Sequence, residues 1–498
     1  MDPYDSYIPQ KPQKVIFPME KKEFLFALGC LISGLMLVNS VYAAGFQLGF
    51  AVAAILCIFL GAGYLLSRGC KANGYSLTIL GLCVVIAGSF ARADDAFVKF
   101  VMLCFLVLGT NLGFCLLAGK NRRSPAGLGS LNDAGYTFFR LGFGHLGTAT
   151  KCLSDGLRNG NAVGRKCGAV LLGLGLCIPI LAIMIPLLMQ ADAAFEALLD
   201  LMPTISFGEI FVTVLFGIGI ALFQFSRGTA LKHQPSTPLV SKVKARLSSL
   251  TANTVLCAVC LLYCVYLLSQ LSYFIGGFAG LLPQEYTLAE YARRGFFEMA
   301  LLCAINLGLI ILALSLSAPN SRAPLSTRLL CLFIGLATLF FVAAASAKMF
   351  LYIDSFGLTR LRVLTQVIMC FLGLVTVFLC IWLFVPRLPY MKAVILTALL
   401  LGALVSWVDV DTQVAKYNVD AYLSGQLETV DVSHLKWLGN GATAHILRLA
   451  QEAEDAAVAQ SAQNILRQRQ NNSTFDFRGW NYVNQEAVNI LRSLSEER

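Results

Sequence analysis

The chain has 498 residues, of which 57% are hydrophobic and only 13% charged, and it carries a net charge of +10. Soluble domains carry about 25% charged residues. A soluble fold of this size could not hide so much apolar surface, so the composition excludes a soluble enzyme or binding module and points to a chain whose solvent is lipid. The basic excess sits in short segments between apolar stretches, where it orients a membrane protein. No basic helix with interleaved aromatics appears, so nucleic acid is not an expected partner.

In chain order, residues 1–22 form a polar tail with Pro3, Pro9, Pro12 and Pro18. Apolar spans long enough for a bilayer follow at 24–44, 46–67, 75–91, 97–118, 168–189, 208–225, 251–273, 296–317, 329–350, 363–385 and 393–410. Val41-Tyr42-Ala43 resembles a signal-peptidase site, but a long tail precedes it and a second span follows at once, so the first span is read as an anchor. The expected fold class is all-α, a polytopic helical membrane bundle of about eleven spans with a small helical C-terminal domain. The expected organisation is a tail over 1–22, a transmembrane region over 23–410 with large loops at 119–167 and 226–250, and a helical domain over 411–498.

Orientation follows from the basic residues. The N-terminal tail and loops of one side of the alternation collect 23 Lys and Arg, the loops between spans on the other side seven, and the richer side is expected to be cytoplasmic. The N-terminus is then cytoplasmic and the 411–498 domain external, in a cell membrane. Within that domain Val458, Ala462, Ile465 and Leu466 follow helical spacing, as do Val483, Ala487, Ile490 and Leu491. Gly439-Asn440-Gly441 and Asn471-Asn472-Ser473 read as turns.

Sixteen cysteines fall almost entirely in apolar spans or cytoplasmic loops, the opposite of a disulfide framework. Cys257, Cys260 and Cys264 share one helix face and read as small residues at a packing surface. Gly142-Phe143-Gly144-His145-Leu146-Gly147 matches GxGxxG, but its neighbours Tyr136, Phe138, Phe139 and Leu141 suit an interfacial segment and not a dinucleotide fold. His145, His233, His434 and His445 are scattered, and no carboxylate pattern completes a zinc site. No cofactor and no metal is therefore expected.

The informative regions are 281–298 and 348–365. The first carries Glu290, Tyr291, Arg293, Arg294 and Glu298, with Asn306 two turns deeper; the second carries Lys348, Tyr352, Asp354, Arg360 and Arg362. Ionisable residues at membrane depth usually pair or mark a function. One loop supplies carboxylates and the next supplies cations, so Glu298 is expected to meet Lys348, Arg360 or Arg362. That arrangement serves either as an ion-pair lock or as a ligand site at the outer leaflet.

The same residues carry a resemblance. Leu282-Pro283, Tyr286-Thr287, Glu290-Tyr291-Ala292-Arg293, Gly295-Phe296 and Glu298 resemble the signature of an uncharacterised bacterial multi-pass membrane family, known only as a domain of unknown function. So do Lys348, Tyr352, Gly357-Leu358-Thr359 and Leu361-Arg362, then Tyr417-Asn418-Val419, then Phe477-Arg478-Gly479-Trp480-Asn481. The resemblance covers residues 250–490, with the first half alike only in hydropathy, and it implies no activity.

The expected function is a cell-envelope membrane protein with a polar site for a small molecule or lipid head group. The bilayer is its expected partner, and protein partners stay open. A membrane enzyme using Glu298 or Glu290 as acid/base on a lipid-linked substrate is the alternative. A transporter ranks third, because the midplane is mostly Leu, Ile, Gly, Ala and Cys.

Overall fold

In hydrocarbon every backbone N–H and C=O must be satisfied within its own segment, which leaves the helix as the natural form for single apolar runs of this length. The computed structural model describes residues 19–92, 94–121, 129–159, 180, 184, 207–234, 248–278, 296–317, 323–470 and 480–496, and no strand occurs among them. Nine helices among the described residues are long and apolar enough to cross a membrane. They are α1 (Lys21–Ala44), α2 (Leu48–Ser67), α4 (Ala96–Leu117), α7 (Phe207–His233), α8 (Ser249–Phe278), α9 (Phe296–Ser317), α10 (Leu325–Phe356), α11 (Arg360–Phe384) and α12 (Tyr390–Val408). The shorter α3 (Gly74–Ser89) lies between α2 and α4. Apart from residues 180 and 184, the expected span 168–189 lies outside the described residues. The chain is a polytopic helical membrane bundle.

Several helices outrun the sequence expectation, α7 and α10 through polar residues. The polar residues Ser226 and Arg227 suggest an end at 225, yet α7 continues through both to His233. Ser226 Oγ donates to the carbonyl of Leu141 (3.3 Å) and Arg227 Nη1 to Asn111 Oδ1 (3.1 Å), so both polar groups find partners inside the bundle. Helix α10 runs 32 residues and takes in Lys348 and Tyr352, which the hydropathy pattern leaves near or beyond its end.

Without a hydrophobic force between helices in lipid, packing depends on close approach. Helices α1 and α7 meet so tightly that a Cβ at Gly34 would stand 2.6 Å from the Gly217 carbonyl oxygen. Together α1–α4 and α7 enclose one core, with Phe26, Ile58, Ile86, Phe114 and Phe225 buried. Helices α8–α11 enclose a second, around Leu256, Ile310, Ile334, Phe341 and Leu379. Helix α12 packs against α3 and α4 on one side and α11 on the other, and so joins them.

The GxGxxG stretch belongs to the first sub-bundle. Short α5 (Gly129–Gly135) and a π-helical segment, Tyr136–Phe143, lead into α6 (Leu146–Asn159), and Phe138 and Phe143 pack on Phe223 of α7. Phe139 is exposed, as an interfacial segment requires. The described cysteines are all free. Cys257, Cys260 and Cys264 stay neighbours on α8, but the expected packing role holds for Cys260 alone, its Sγ 3.7 Å from the Leu330 carbonyl of α10, while Cys257 and Cys264 lie exposed on the bundle surface.

Beyond α12 the polar tail folds as α13 (Val410–Leu423), α14 (Val432–Trp437), a 3-10 turn at Asn440–Ala442, α15 (Thr443–Glu452), α16 (Ala456–Gln470) and α17 (Tyr482–Glu496). Its core holds Val414, Val419, Leu435, Ile446, Leu449, Ala462 and Leu466, and it closes onto Val405 of α12 with Val363 and Val367 of α11. Burial of each such Val, Leu or Ile side chain from water stabilises by about 1.5–3 kcal/mol. The tail therefore caps one end of the bundle.

Candidate functional site

Polar groups concentrate where that cap meets the bundle. The α10–α11 turn is the first anchor. Gly357 has φ of +74°, a left-handed conformation that glycine tolerates, and a Cβ there would stand 2.5 Å from Asn418 Oδ1. The Asn418 amide pairs with both backbone groups of the next residue, accepting from Leu358 N (2.7 Å) and donating to Leu358 O (2.8 Å). Thr359 N-caps α11 through Arg362 N (3.4 Å). Arg362 reaches back to cap α10, donating to the carbonyls of Phe356 (3.0 Å) and Gly357, with its guanidinium 4.2 Å from the Tyr352 ring centroid. Gln426 Nε2 donates to Asp354 Oδ1 (2.6 Å).

Next to the turn lies an ion network. Arg360 donates from Nε and Nη2 to both oxygens of Asp411, each at 2.7 Å, and its Nη1 is 2.5 Å from Asp95 Oδ2. Asp95 is also the N-cap of α4, accepting from Val98 N at 2.6 Å. Buried Lys99 lies one turn along α4 in the field of Asp94 and Asp95. The Gly439-Asn440-Gly441 turn closes the network from the tail side: Gly439 N donates to Asp411 Oδ2 (2.7 Å) and Asn440 N to Asp94 Oδ2 (3.0 Å). A Cβ at Gly441 would stand 2.1 Å from Thr412 Oγ1, so the approach requires glycine. Arg469 donates to the carbonyls of Gly439 (3.2 Å) and Leu438 (2.8 Å), and Arg92 sits 5.4 Å from the Tyr482 ring centroid.

Asp409 completes the group. It is the one non-glycine with positive φ (45°) among the described residues, and it takes the Thr412 hydroxyl. Burial, with Asp411 and Asp94 nearby, holds its carboxyl above the usual aspartate range, against the opposing pull of Thr412 and Arg92. The tail is tied down a third time at 480–482. Leu48 N donates to Trp480 O (3.3 Å), Tyr482 N to Ala91 O (3.1 Å), and Asn481 Nδ2 to Gln47 Oε1 (3.0 Å).

The sequence candidates divide. Glu290, Tyr291, Arg293 and Arg294 lie outside the described residues. Arg360 meets Asp95 and Asp411 and not Glu298, because the turns after α3 and α12 bring those aspartates closer. Asn306 belongs to the second core: it accepts from Tyr263 Oη (2.5 Å) and donates to Thr338 Oγ1 (2.9 Å), pinning α8, α9 and α10 together. Glu298, exposed in the first turn of α9, acts electrostatically on half-buried Lys348 of α10. Beneath them Met299, Ala345, Met349, Ile353 and Met369 form a small apolar cluster flanked by Tyr352. Glu298, Lys348, Tyr352 and Arg362 thus make a rim beside the ion network.

Asp94, Asp95, Asp409, Asp411 and Arg469 escape sequence reasoning. A signal existed: Asp94-Asp95 and Asp409-Val410-Asp411 both abut apolar spans, on the same side of the alternation. Acidic pairs at two span ends on one side ask for a common cation.

The family described as a domain of unknown function, DUF4153, matches residues 25–449. The match takes in the first half of the chain, where hydropathy alone carried the resemblance, and ends before the 477–481 stretch. No curated protein and no solved structure matches the chain.

Proposed function

Because the chain belongs to the DUF4153 family, whose description assigns no activity, we propose from its geometry that it is a bacterial cell-envelope protein whose outer end receives a lipid head group or small envelope molecule. The bias of 23 Lys and Arg in the tail and loops of one side against seven in the opposite loops supports a cytoplasmic N-terminus and an external cap in the cell membrane. The observation that carries the binding reading is the Glu298–Lys348 pair beside Tyr352 and Arg362. A 32-residue helix is about 48 Å long, against a hydrocarbon thickness of about 30 Å. The last turns of α10, with Lys348 and Tyr352, therefore reach head-group depth, where cations and tyrosines meet lipid phosphates.

The test is retention of anionic lipid by purified protein, compared between wild type and Lys348→Met by native mass spectrometry. Lower retention in the variant is expected; equal retention overturns the reading. The second reading, an enzyme acting on a lipid-linked substrate, is favoured by the exposed Glu298 carboxylate beside a cation, the pair that acid/base chemistry on a phosphorylated substrate needs. It predicts that Glu298→Gln leaves lipid retention intact and abolishes turnover of that substrate.

A further inference from the structure

A second cation lies deep in the other half of the molecule. Arg227 of α7 is six residues, about 9 Å, inside the helix end at His233. It is 9% exposed and faces α1, α2 and α4. Its guanidinium stands 4.8 Å from the Phe114 ring centroid and 5.5 Å from that of Phe223, and Nη1 donates to Asn111 Oδ1. Its electrostatic neighbours are the thiols of Cys57 and Cys30. Among the described residues no carboxylate pairs with it, whereas Arg68 and Arg360 each have two. An arginine keeps its charge in proteins, and a charge at membrane depth is costly and usually pairs or marks a functional site.

The surroundings supply the remainder of an anion site. Gln224, 6% exposed, accepts the Ser33 hydroxyl at 3.5 Å through Oε1, so its NH2 can donate elsewhere. The Cys57 thiol lies within hydrogen-bond reach of Ser33 and Gln224. One fixed cation with neutral donors suits a singly charged group, and the planar fork of a guanidinium matches an oxyanion in two-point contact. We propose that Arg227 anchors a site between α1, α2, α4 and α7 for one singly charged phosphate group, carried by free phosphate or by the phosphodiester of a lipid head group.

The experiment measures thermal unfolding of the full chain in neutral detergent at fixed ionic strength. One arm titrates sodium phosphate, the other dihexanoyl phosphatidylglycerol, with dihexanoylglycerol as the uncharged control. A saturable rise in Tm with one of the two charged probes identifies the source. Arg227→Met should weaken that response at least tenfold. Asn111→Asp, which places a carboxylate at the Nη1 contact, should abolish it while keeping the fold, and decides the matter if Arg227→Met does not fold. In the Lys348→Met background, where the rim's own lipid response is removed, the shift should persist and Asn111→Asp should remove it, which separates this site from the rim at the other end. The proposal is overturned if neither probe shifts the wild type, if Asn111→Asp responds as the wild type does, or if the response is lost with Lys348.

Discussion

Arg360 and Arg227 are both arginines drawn in from helix ends, and their surroundings treat the charge in opposite ways. Arg360, its side chain 30% exposed, is gripped by Asp95 of the bundle and Asp411 of the tail; Val98 N donates to the other Asp95 oxygen, and Gly439 N shares Asp411 Oδ2 with the guanidinium. Arg227 is more deeply buried and has one amide and two phenyl rings. At the capped end charge serves assembly: each ion joins two elements distant in sequence. Inside the first sub-bundle a charge is held in place without being cancelled. The difference separates a lock from a site, and each side of it can be broken.

The largest effect is expected at Asp411. Asp411→Asn removes the charge that Arg360 holds bidentately; Arg360 keeps Asp95, so the expected loss is that of two charged hydrogen bonds, about 1.5–3 kcal/mol each, whereas removing both partners can be nearly neutral. Proteolysis should release the tail from Asp411→Asn, and Tm should fall. Arg360→Met combined with Asp411→Leu should recover most of the loss, since Asp95 keeps Lys99 beside it. An unchanged single variant would mean that the network is not what holds the cap.

Glu23 sharpens the comparison from the opposite end. Its side chain is fully buried and accepts Tyr64 Oη at 3.0 Å and Arg68 Nε at 2.7 Å, with His233 Nε2 3.6 Å away. Arg68 also has Glu20, so Glu23→Gln leaves it a partner. The expected loss is that of a charged hydrogen bond, about 1.5–3 kcal/mol, read as a lower Tm with the tail still protected from protease. Release of the tail would show that the two ends are coupled.

The spans were legible because lipid imposes one rule over twenty residues at a time, and ten of the eleven expected spans are helices among the described residues. Legibility failed where polar residues enter a helix with partners from elsewhere. Arg227 reads as loop because nothing near it in sequence announces Asn111 or Phe114. Of the three cations offered to Glu298, Arg360 turns elsewhere, to Asp95 and Asp411, which lie 265 and 51 residues away along the chain, and only the fold reveals that distance to be short. Gly357-Leu358-Thr359 and Asn418 were each singled out by resemblance, yet their backbone pairing is tertiary. Local pattern gives elements; charge pairing between elements does not follow from it.

Asp409 gives a smaller effect with a definite sign. Its folded carboxyl titrates above the ordinary value of 3.8, so the stabilisation linked to its protonation is full below that value and is lost as pH rises through the raised one. Tail attachment should therefore weaken over the interval upward from 3.8. Asn tolerates the left-handed conformation and can still accept from Thr412. Asp409→Asn should flatten that part of the Tm-against-pH curve and raise Tm at neutral pH. A curve of unchanged slope would remove Asp409 from the network's energetics.

The smallest stability effect is expected at the rim. Glu298 is exposed and Lys348 half-buried, and exposed ion pairs contribute about 0–1 kcal/mol. Glu298 also gains from standing in the first turn of α9, where a negative charge meets the positive end of the helix dipole, and this too contributes about 0.3–1 kcal/mol at the surface. Glu298→Gln should consequently fold and insert like wild type, with Tm lowered only slightly. If Glu298 and Lys348 were instead a lock like Arg360 and Asp411, the single change would lower Tm markedly and Glu298→Gln with Lys348→Met would restore it. A variant that keeps its stability but loses lipid retention or turnover places the rim with the sites. A large, mutually compensated loss of Tm places it with the locks and removes the support for ligand binding there.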